Sequence, residues 1–229
     1  MSEHAYTAAT PRSRPTASDR ARSGPGGPFA LAVGCVLALA LVWVLAALVP
    51  AIHYRDAVAL HDFARLDSGP VDRVAARVTH LLEPLLFTLW GVAIVAVGLA
   101  RARPRRALAA AGVMALAPLT AEILKPLLAH PHAVVGGTYL GAASWPSGHA
   151  TAALALALAA TFVAPARLRR LVAALGVAFA AAVGFALVVR ASHMPSDVIG
   201  GYLVASFWAA AALTALRTAE LRWPARRSG

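Results

Sequence analysis

The run FALAVGCVLALALVWVLAALV, Phe29–Val49, carries no charged residue and is closed by Pro50. A helix needs ~20 apolar residues to cross the ~30 Å hydrocarbon layer of a bilayer, because each residue rises only ~1.5 Å. Phe29–Val49 is therefore of full spanning length. A secretory signal is the alternative for an apolar run near an N-terminus. A long preceding tail and an apolar run of this length argue against it.

The same pattern recurs along the chain. Apolar runs cover about His80–Ala100, Ala107–Leu128, His149–Val163, Leu171–Val189 and Val198–Leu216, separated by short charged bursts. The expected fold is all-α, a polytopic membrane bundle of six transmembrane helices. Composition agrees: 59% of the 229 residues are hydrophobic, 14% are charged, and mean hydropathy is +0.68. Residues 1–27, rich in Ser, Thr, Pro, Gly and Arg, read as a disordered basic tail. Residues 28–217 form the membrane domain, and 218–229 a second basic tail. The 51–78 segment, where Asp and Arg alternate, reads as a loop with a short interfacial helix. Cys35 is the single cysteine, so no internal disulfide can form, and its place in an apolar run fits packing.

The formal net charge is +11, which in a soluble domain would suggest nucleic acid. Here the cations flank membrane runs and read as topology signals. Fifteen arginines lie in the N-terminal tail, the 101–106 and 167–170 connections and the C-terminal tail. The alternate connections hold six cations: Arg55, Arg65, Arg73, Arg77, Lys125 and Arg190. The excess marks the first set, with both termini, as cytoplasmic. The alternate connections then face outward across the plasma membrane.

The chemically active residues gather in two of those outward connections. One holds Lys125, His130, His132 and the run Ser144-Trp-Pro-Ser147-Gly148-His149; the other reads Arg190-Ala-Ser-His193-Met-Pro195-Ser-Asp197. Pro146 suits a first helical position with Ser144 as cap, which puts His149 in the first turn. Free N–H groups beside Gly148 make a natural anion site. Asp197, four residues after His193, can accept from one imidazole nitrogen and leave the other free to attack. Two imidazoles, one oriented by a carboxylate, with Lys125 and Arg190 as cations, are what phosphoryl transfer through histidine requires. Blander readings exist for each residue: an interfacial histidine, a helix cap at Asp197, snorkelling cations. Zinc is a further reading for His130, His132, His149 and His193, although no other strong ligand stands nearby. Glu83 and Glu122 read as intramembrane acids in the second and third spans, with packing or proton supply as their roles.

These segments resemble the three signature motifs of the type 2 phosphatidic acid phosphatase family of membrane lipid phosphatases. Pro146-Ser147-Gly148-His149 matches the middle motif in full, His193 and Asp197 the third, and Lys125 the first. The resemblance implies His193 as nucleophile, His149 as acid and base, and Asp197 as the orienting group. It implies Lys125, Ser147, Gly148 and Arg190 as the phosphate cradle, a lipid phosphate as substrate, and neither metal nor cofactor. Two family arginines are replaced. His132 and Ala133 stand where the first motif has Arg-Pro, and Leu187 stands where the third has arginine. Arg190, three residues on and nearly one helical turn away, and His132, as a weaker contact, are the expected substitutes. The expected activity is hydrolysis of a phospholipid or polyprenyl (di)phosphate at the outer membrane face. The rival expectation is a non-catalytic binder or transporter of lipid headgroups. A soluble vanadate-dependent oxidase shares the phosphate-site logic but not the membrane runs.

Overall fold

The structure is a computed structural model that describes residues 24–223. Most of the expected N-terminal tail, and the end of the C-terminal one, lie outside those residues. The described residues form eight helices: α1 (Gly26–Leu48), α2 (Pro50–Ala64), α3 (Gly69–His80), α4 (Pro84–Ala100), α5 (Pro104–Leu127), α6 (Gly148–Val163), α7 (Arg169–Val189) and α8 (Pro195–Arg222). The protein is an all-α, multi-pass membrane bundle. Proline opens α2, α4, α5 and α8 and stands second in α3, where its fixed φ suits the first turn and its missing N–H costs nothing.

Four helices, α1, α5, α7 and α8, are each long and apolar enough to cross a membrane. The expected second span differs in shape. Instead of one helix from His80, the chain ends α3 at His80 and restarts at Pro84, with a 53° bend between α3 and α4. The cause is local: a residue before proline is pushed out of the α region, and Glu83 sits at φ −58°, ψ 149°. Together α3 and α4 pass as a fifth, broken span. The 16-residue α6 is shorter; at 1.5 Å per residue it rises about 24 Å, less than the hydrocarbon thickness. The 51–78 segment is more ordered than a loop and consists of α2 and most of α3.

Packing explains how a short helix can sit inside a membrane bundle. α6 lies at the centre, against α5, α7 and α8, with α4 touching its outer side and α1 laid along α8. Its alanines at 150, 153, 155 and 159 are fully buried. Backbone that does not face lipid can end within the membrane depth without leaving groups unsatisfied against hydrocarbon. Small residues let the backbones close up: a side-chain carbon at Gly176 would stand 2.6 Å from Ala157 Cβ, and one at Gly98 2.8 Å from Ala107 Cβ. By contrast α1 leaves Leu31, Leu37 and Leu41 more than half exposed. Such a surface would be a liability in water and is natural against lipid.

Candidate active site

The site is built where α6 and α8 begin. The cap of α6 is Ser147, not Ser144. The Ser147 hydroxyl oxygen accepts from the Ala150 N–H at 3.3 Å. Trp145–Pro146 is a cis peptide lying just before the helix. Ser144 turns away and pairs with His132 Nε2 at 2.8 Å. α8 begins as its sequence suggests. Pro195 opens it, and Asp197 Oδ2 accepts from the Met194 N–H at 3.1 Å, which caps the helix.

The two helix starts are tied together. The Ser147 N–H donates to the Asp197 carbonyl at 2.9 Å, and the Thr151 hydroxyl donates to the Ser147 carbonyl at 2.8 Å. Ser147, Thr151 and Asp197 are completely buried. Gly201 lets the helices approach this closely, since a side-chain carbon there would stand 2.6 Å from the Ser147 carbonyl oxygen. Asp197 Oδ2 also lies 3.2 Å from His193 Nδ1. With its proton on Nδ1, His193 presents Nε2 as a free base.

His149 and His193 line one cavity of about 620 Å³, together with Arg190, Leu187, Ser192 and, from the other side, Arg77, Thr79, His80 and Glu83. Arg190, the C-cap of α7, is held by Asp72 of α3 at 2.8 Å from Nε. Lys125 adjoins Gly148: a carbon added at Gly148 would lie 3.4 Å from Lys125 Nζ. The Lys125 ammonium is itself 2.6 Å from Glu122. Lys125, Gly148, His149, Arg190, His193 and Asp197 thus assemble around the starts of α6 and α8. Ser147 belongs to the framework beneath them.

His132 has a different setting. It lies outside the lining of this cavity, in a cluster with His130 (ring centroids 4.7 Å apart) and His53 (6.4 Å, rings parallel). Burial pushes its imidazole below the ordinary value, opposed by Asp197 and reinforced by the neighbouring histidines. A neutral imidazole at pH 7 is a poor substitute for an arginine.

Two groups, Arg77 and Asp56, were not singled out from the sequence, and two that were, Glu83 and Glu122, have partners the sequence did not indicate. Arg77 lines the cavity and makes no ion pair or hydrogen bond among the described residues. Its signal was the spacing Arg73, Arg77, His80, which puts three basic side chains on one face of α3. Glu83, expected within a span, instead ends the α3–α4 break and pairs with His80 at 2.8 Å. Glu122, likewise expected as a packing acid, is the Lys125 partner. Asp56 of α2, outside the spanning helices, accepts from the Ser196 N–H at 3.2 Å and from its hydroxyl at 2.5 Å. It therefore holds the residue next to Asp197. Burial raises the Asp56 carboxyl above its usual range, and the Ser196 hydrogen bonds oppose that rise.

A sequence model of the PAP2 superfamily matches residues 77–220. The chain belongs to the PAP2 superfamily. It is a multi-pass membrane protein of a lipid phosphatase family, as the motifs had suggested. No curated protein sequence matches it. Among solved structures, a transmembrane PAP2-type phosphatidylglycerolphosphate phosphatase from Bacillus subtilis matches with a TM-score of 0.68 and 18% identity. The match covers 86% of this chain and 99% of that one, and at that identity the likeness is one of fold. The PAP2 match begins at Arg77, so it takes in the α3 end, the bend and every residue of the histidine cavity except Ala76.

Proposed function

We propose that this PAP2 protein is a metal-independent lipid phosphate phosphatase working through a phosphohistidine, with its cavity on the outer side of the plasma membrane and both termini inside. The observation that carries the reading is the His193–Asp197 pair, 3.2 Å apart, on a cavity that His149 and Arg190 also line. His193 Nε2 attacks phosphorus as the ester or anhydride P–O bond breaks. The leaving oxygen takes its proton from His149. Water then attacks the phosphohistidine, giving its proton to His149 and releasing phosphate and free His193. Asp197 holds the ring orientation and stabilises its positive charge. Arg190, Lys125 and the N–H groups at the start of α6 balance charge on the transferring phosphoryl group.

The substrate in this reading is a membrane-anchored phosphomonoester or diphosphate. The test is phosphate release in detergent, with EDTA present, from phosphatidic acid, phosphatidylglycerol phosphate and a polyprenyl diphosphate. Wild type should turn over at least one of them and His193→Ala none. Equal release by the two proteins would refute the nucleophile, and release abolished by EDTA would refute metal independence. Binding of these lipids without turnover would favour the headgroup-binding alternative.

A further inference from the structure

The start of α6 already carries an acid. Gly148 is the first residue of α6, and Ser147 caps it. A carbon added at Gly148 would lie 2.8 Å from Glu122 Oε1 and 3.4 Å from Lys125 Nζ. The same Oε1 is 2.6 Å from that ammonium. Both groups come from the last two turns of α5, and they take the space that a side chain at Gly148 would fill. His149, the next residue, is within electrostatic range of both. The first N–H groups of α6 are in the same place. That of Ala150 is taken by the Ser147 hydroxyl. Those of Gly148 and His149 stand too early in the helix to have a carbonyl partner within it.

A glutamate three residues before a lysine stabilises a helix slightly. Helix stabilisation does not explain why the carboxylate rests against the start of a neighbouring helix. The seat it takes holds an ammonium, the positive end of a helix and a glycine that leaves both uncovered, which is how proteins bind anions. In the proposed reaction the same seat receives the phosphate. A carboxylate and a phosphate oxygen accept from the same donors, and two anions repel. The contact is also easily broken. The Glu122 side chain is more than half exposed, and a pair so exposed is held weakly.

We propose that Glu122 is an internal competitor for the phosphate seat. Resting on the lipid phosphatase reading, this gives Glu122 a definite part in the cycle. Without substrate, its carboxylate keeps Lys125 at the start of α6 and neutralises it. An arriving phosphate displaces the carboxylate, which swings away from the helix start, and the Lys125 ammonium passes to a phosphate oxygen. After hydrolysis the carboxylate returns and inorganic phosphate leaves. The competition weakens lipid and product by the same factor, but a lipid keeps the hold of its chains while the inorganic product has only the seat. Glu122 is thus a positioning residue that acts through Lys125. It sets how tightly phosphate is held and takes no part in breaking the P–O bond.

The test is the affinity of the full-length protein in dodecyl maltoside for inorganic phosphate. It is read at constant ionic strength as the saturable rise of the thermal unfolding midpoint, since a ligand of the folded state stabilises it by mass action. Glu122→Gln keeps the length of the side chain and an acceptor for the ammonium, but not the charge. It should bind phosphate about fivefold more tightly than wild type, the reach of an exposed ion pair. A merely structural pair would change the affinity in the other direction, because the lysine released from it would be less well placed. Lys125→Gln should bind more weakly than wild type, and the Glu122→Gln, Lys125→Gln double variant should not recover the affinity of Glu122→Gln. On whichever lipid the enzyme hydrolyses, Glu122→Gln should lower KM by a similar factor with kcat no higher, the split expected for binding alone. A phosphate affinity unchanged or lowered in Glu122→Gln, no saturable binding by either protein, or a double variant as tight as Glu122→Gln would each overturn the inference. The two readings fail separately. Tighter phosphate binding by Glu122→Gln with no turnover by wild type would refute the phosphatase and support the competitor. Turnover by wild type without the gain in affinity would refute the competitor alone.

Discussion

The two walls of the histidine cavity are built in different ways. On the α6–α8 side, Ser147, Thr151 and Asp197 are wholly buried and joined by hydrogen bonds from Thr151 to Ser147 and from Ser147 to Asp197, and Gly201 leaves no room for a side chain against Ser147 and Thr151. On the α3–α4 side, Arg77, His80 and Glu83 are exposed, the helix is bent by 53°, and the polar contacts are surface ion pairs. Exposed pairs are worth about 0–1 kcal/mol each. The first wall cannot shift without disturbing the bundle core, so it suits groups that must keep a fixed geometry towards phosphorus. The second can change residue by residue at little cost to the fold, so it suits recognition of whatever lies beyond the phosphate.

Asp197→Asn gives the largest expected contrast between the walls. The amide can keep the helix cap but offers the wrong partner for His193 Nδ1–H or fixes the wrong tautomer. We expect kcat to fall about 10²–10⁴-fold, the range for losing an oriented general base or nucleophile, with KM changed little. Steady-state phosphate release on the best substrate checks it. A loss of less than about tenfold would mean that the buried wall does not set the chemistry.

Gly201→Val comes next and tests the packing rather than the charge. Its side chain would meet the Ser147 carbonyl at 2.6 Å and the Thr151 hydroxyl at 3.0 Å. Overpacking of this kind costs about 1–3 kcal/mol, or a drop in Tm of about 2–12 °C for a chain of this size. Activity should fall with it, because the starts of α6 and α8 are forced apart. Gly112→Ala, in the interior of α5 at a glycine with nothing within 4 Å, should leave activity unchanged and not lower Tm, since alanine is the better helix former, and serves as the control.

Arg77→Gln probes the other wall. Removing one unpaired cation from the rim should raise KM about tenfold, as for one charged hydrogen bond, and leave kcat near wild type. That split marks uniform binding rather than transition-state stabilisation. A fall in kcat comparable to that of Asp197→Asn would erase the distinction between the walls.

The difference between the walls also governs what could be seen in the sequence. The geometry of the α6–α8 wall was legible because its residues sit at helix starts with fixed spacing: Pro195 and Asp197 lie in the first turn of α8, and His193 lies one turn before Asp197. Ser147 as cap was missed because Pro146 lies before the helix rather than in its first turn. The mixed wall was hidden for a different reason. Arg77, Asp72 and Asp56 lie far along the chain from the motifs, and only the packing of α2 and α3 on α7 and α8 brings them near. In the 51–78 segment alternating acids and arginines carry no marker of which will be drawn inward. The apolar runs located the spans but not the break at Glu83, whose only signal was the single residue Pro84.

Asp56 joins the two regions, since it reaches from the mixed segment to Ser196 at the start of α8. Its effect should be the smallest and the most specific to pH. A carboxyl raised in the folded state by burial favours folding most when protonated. That contribution is complete below the ordinary value of 3.8 and is lost as pH rises through the raised folded value. Asp56→Asn keeps an acceptor for the Ser196 N–H, and its amide N–H can donate to the Ser196 hydroxyl oxygen. It has no charge to desolvate. The two proteins should therefore unfold at similar temperatures at the acid end. Above the raised value Asp56→Asn should be the more stable, by no more than about 1 kcal/mol, or about 2–4 °C. Every other titrating group is shared, so the difference between the two Tm–pH curves isolates Asp56. Parallel curves from pH 4 to 8 would show that burial does not raise the Asp56 carboxyl in the folded protein. A mutant less stable throughout would show that the charge itself holds the start of α8, and the α6–α8 wall would then depend on the mixed segment more than its own packing suggests.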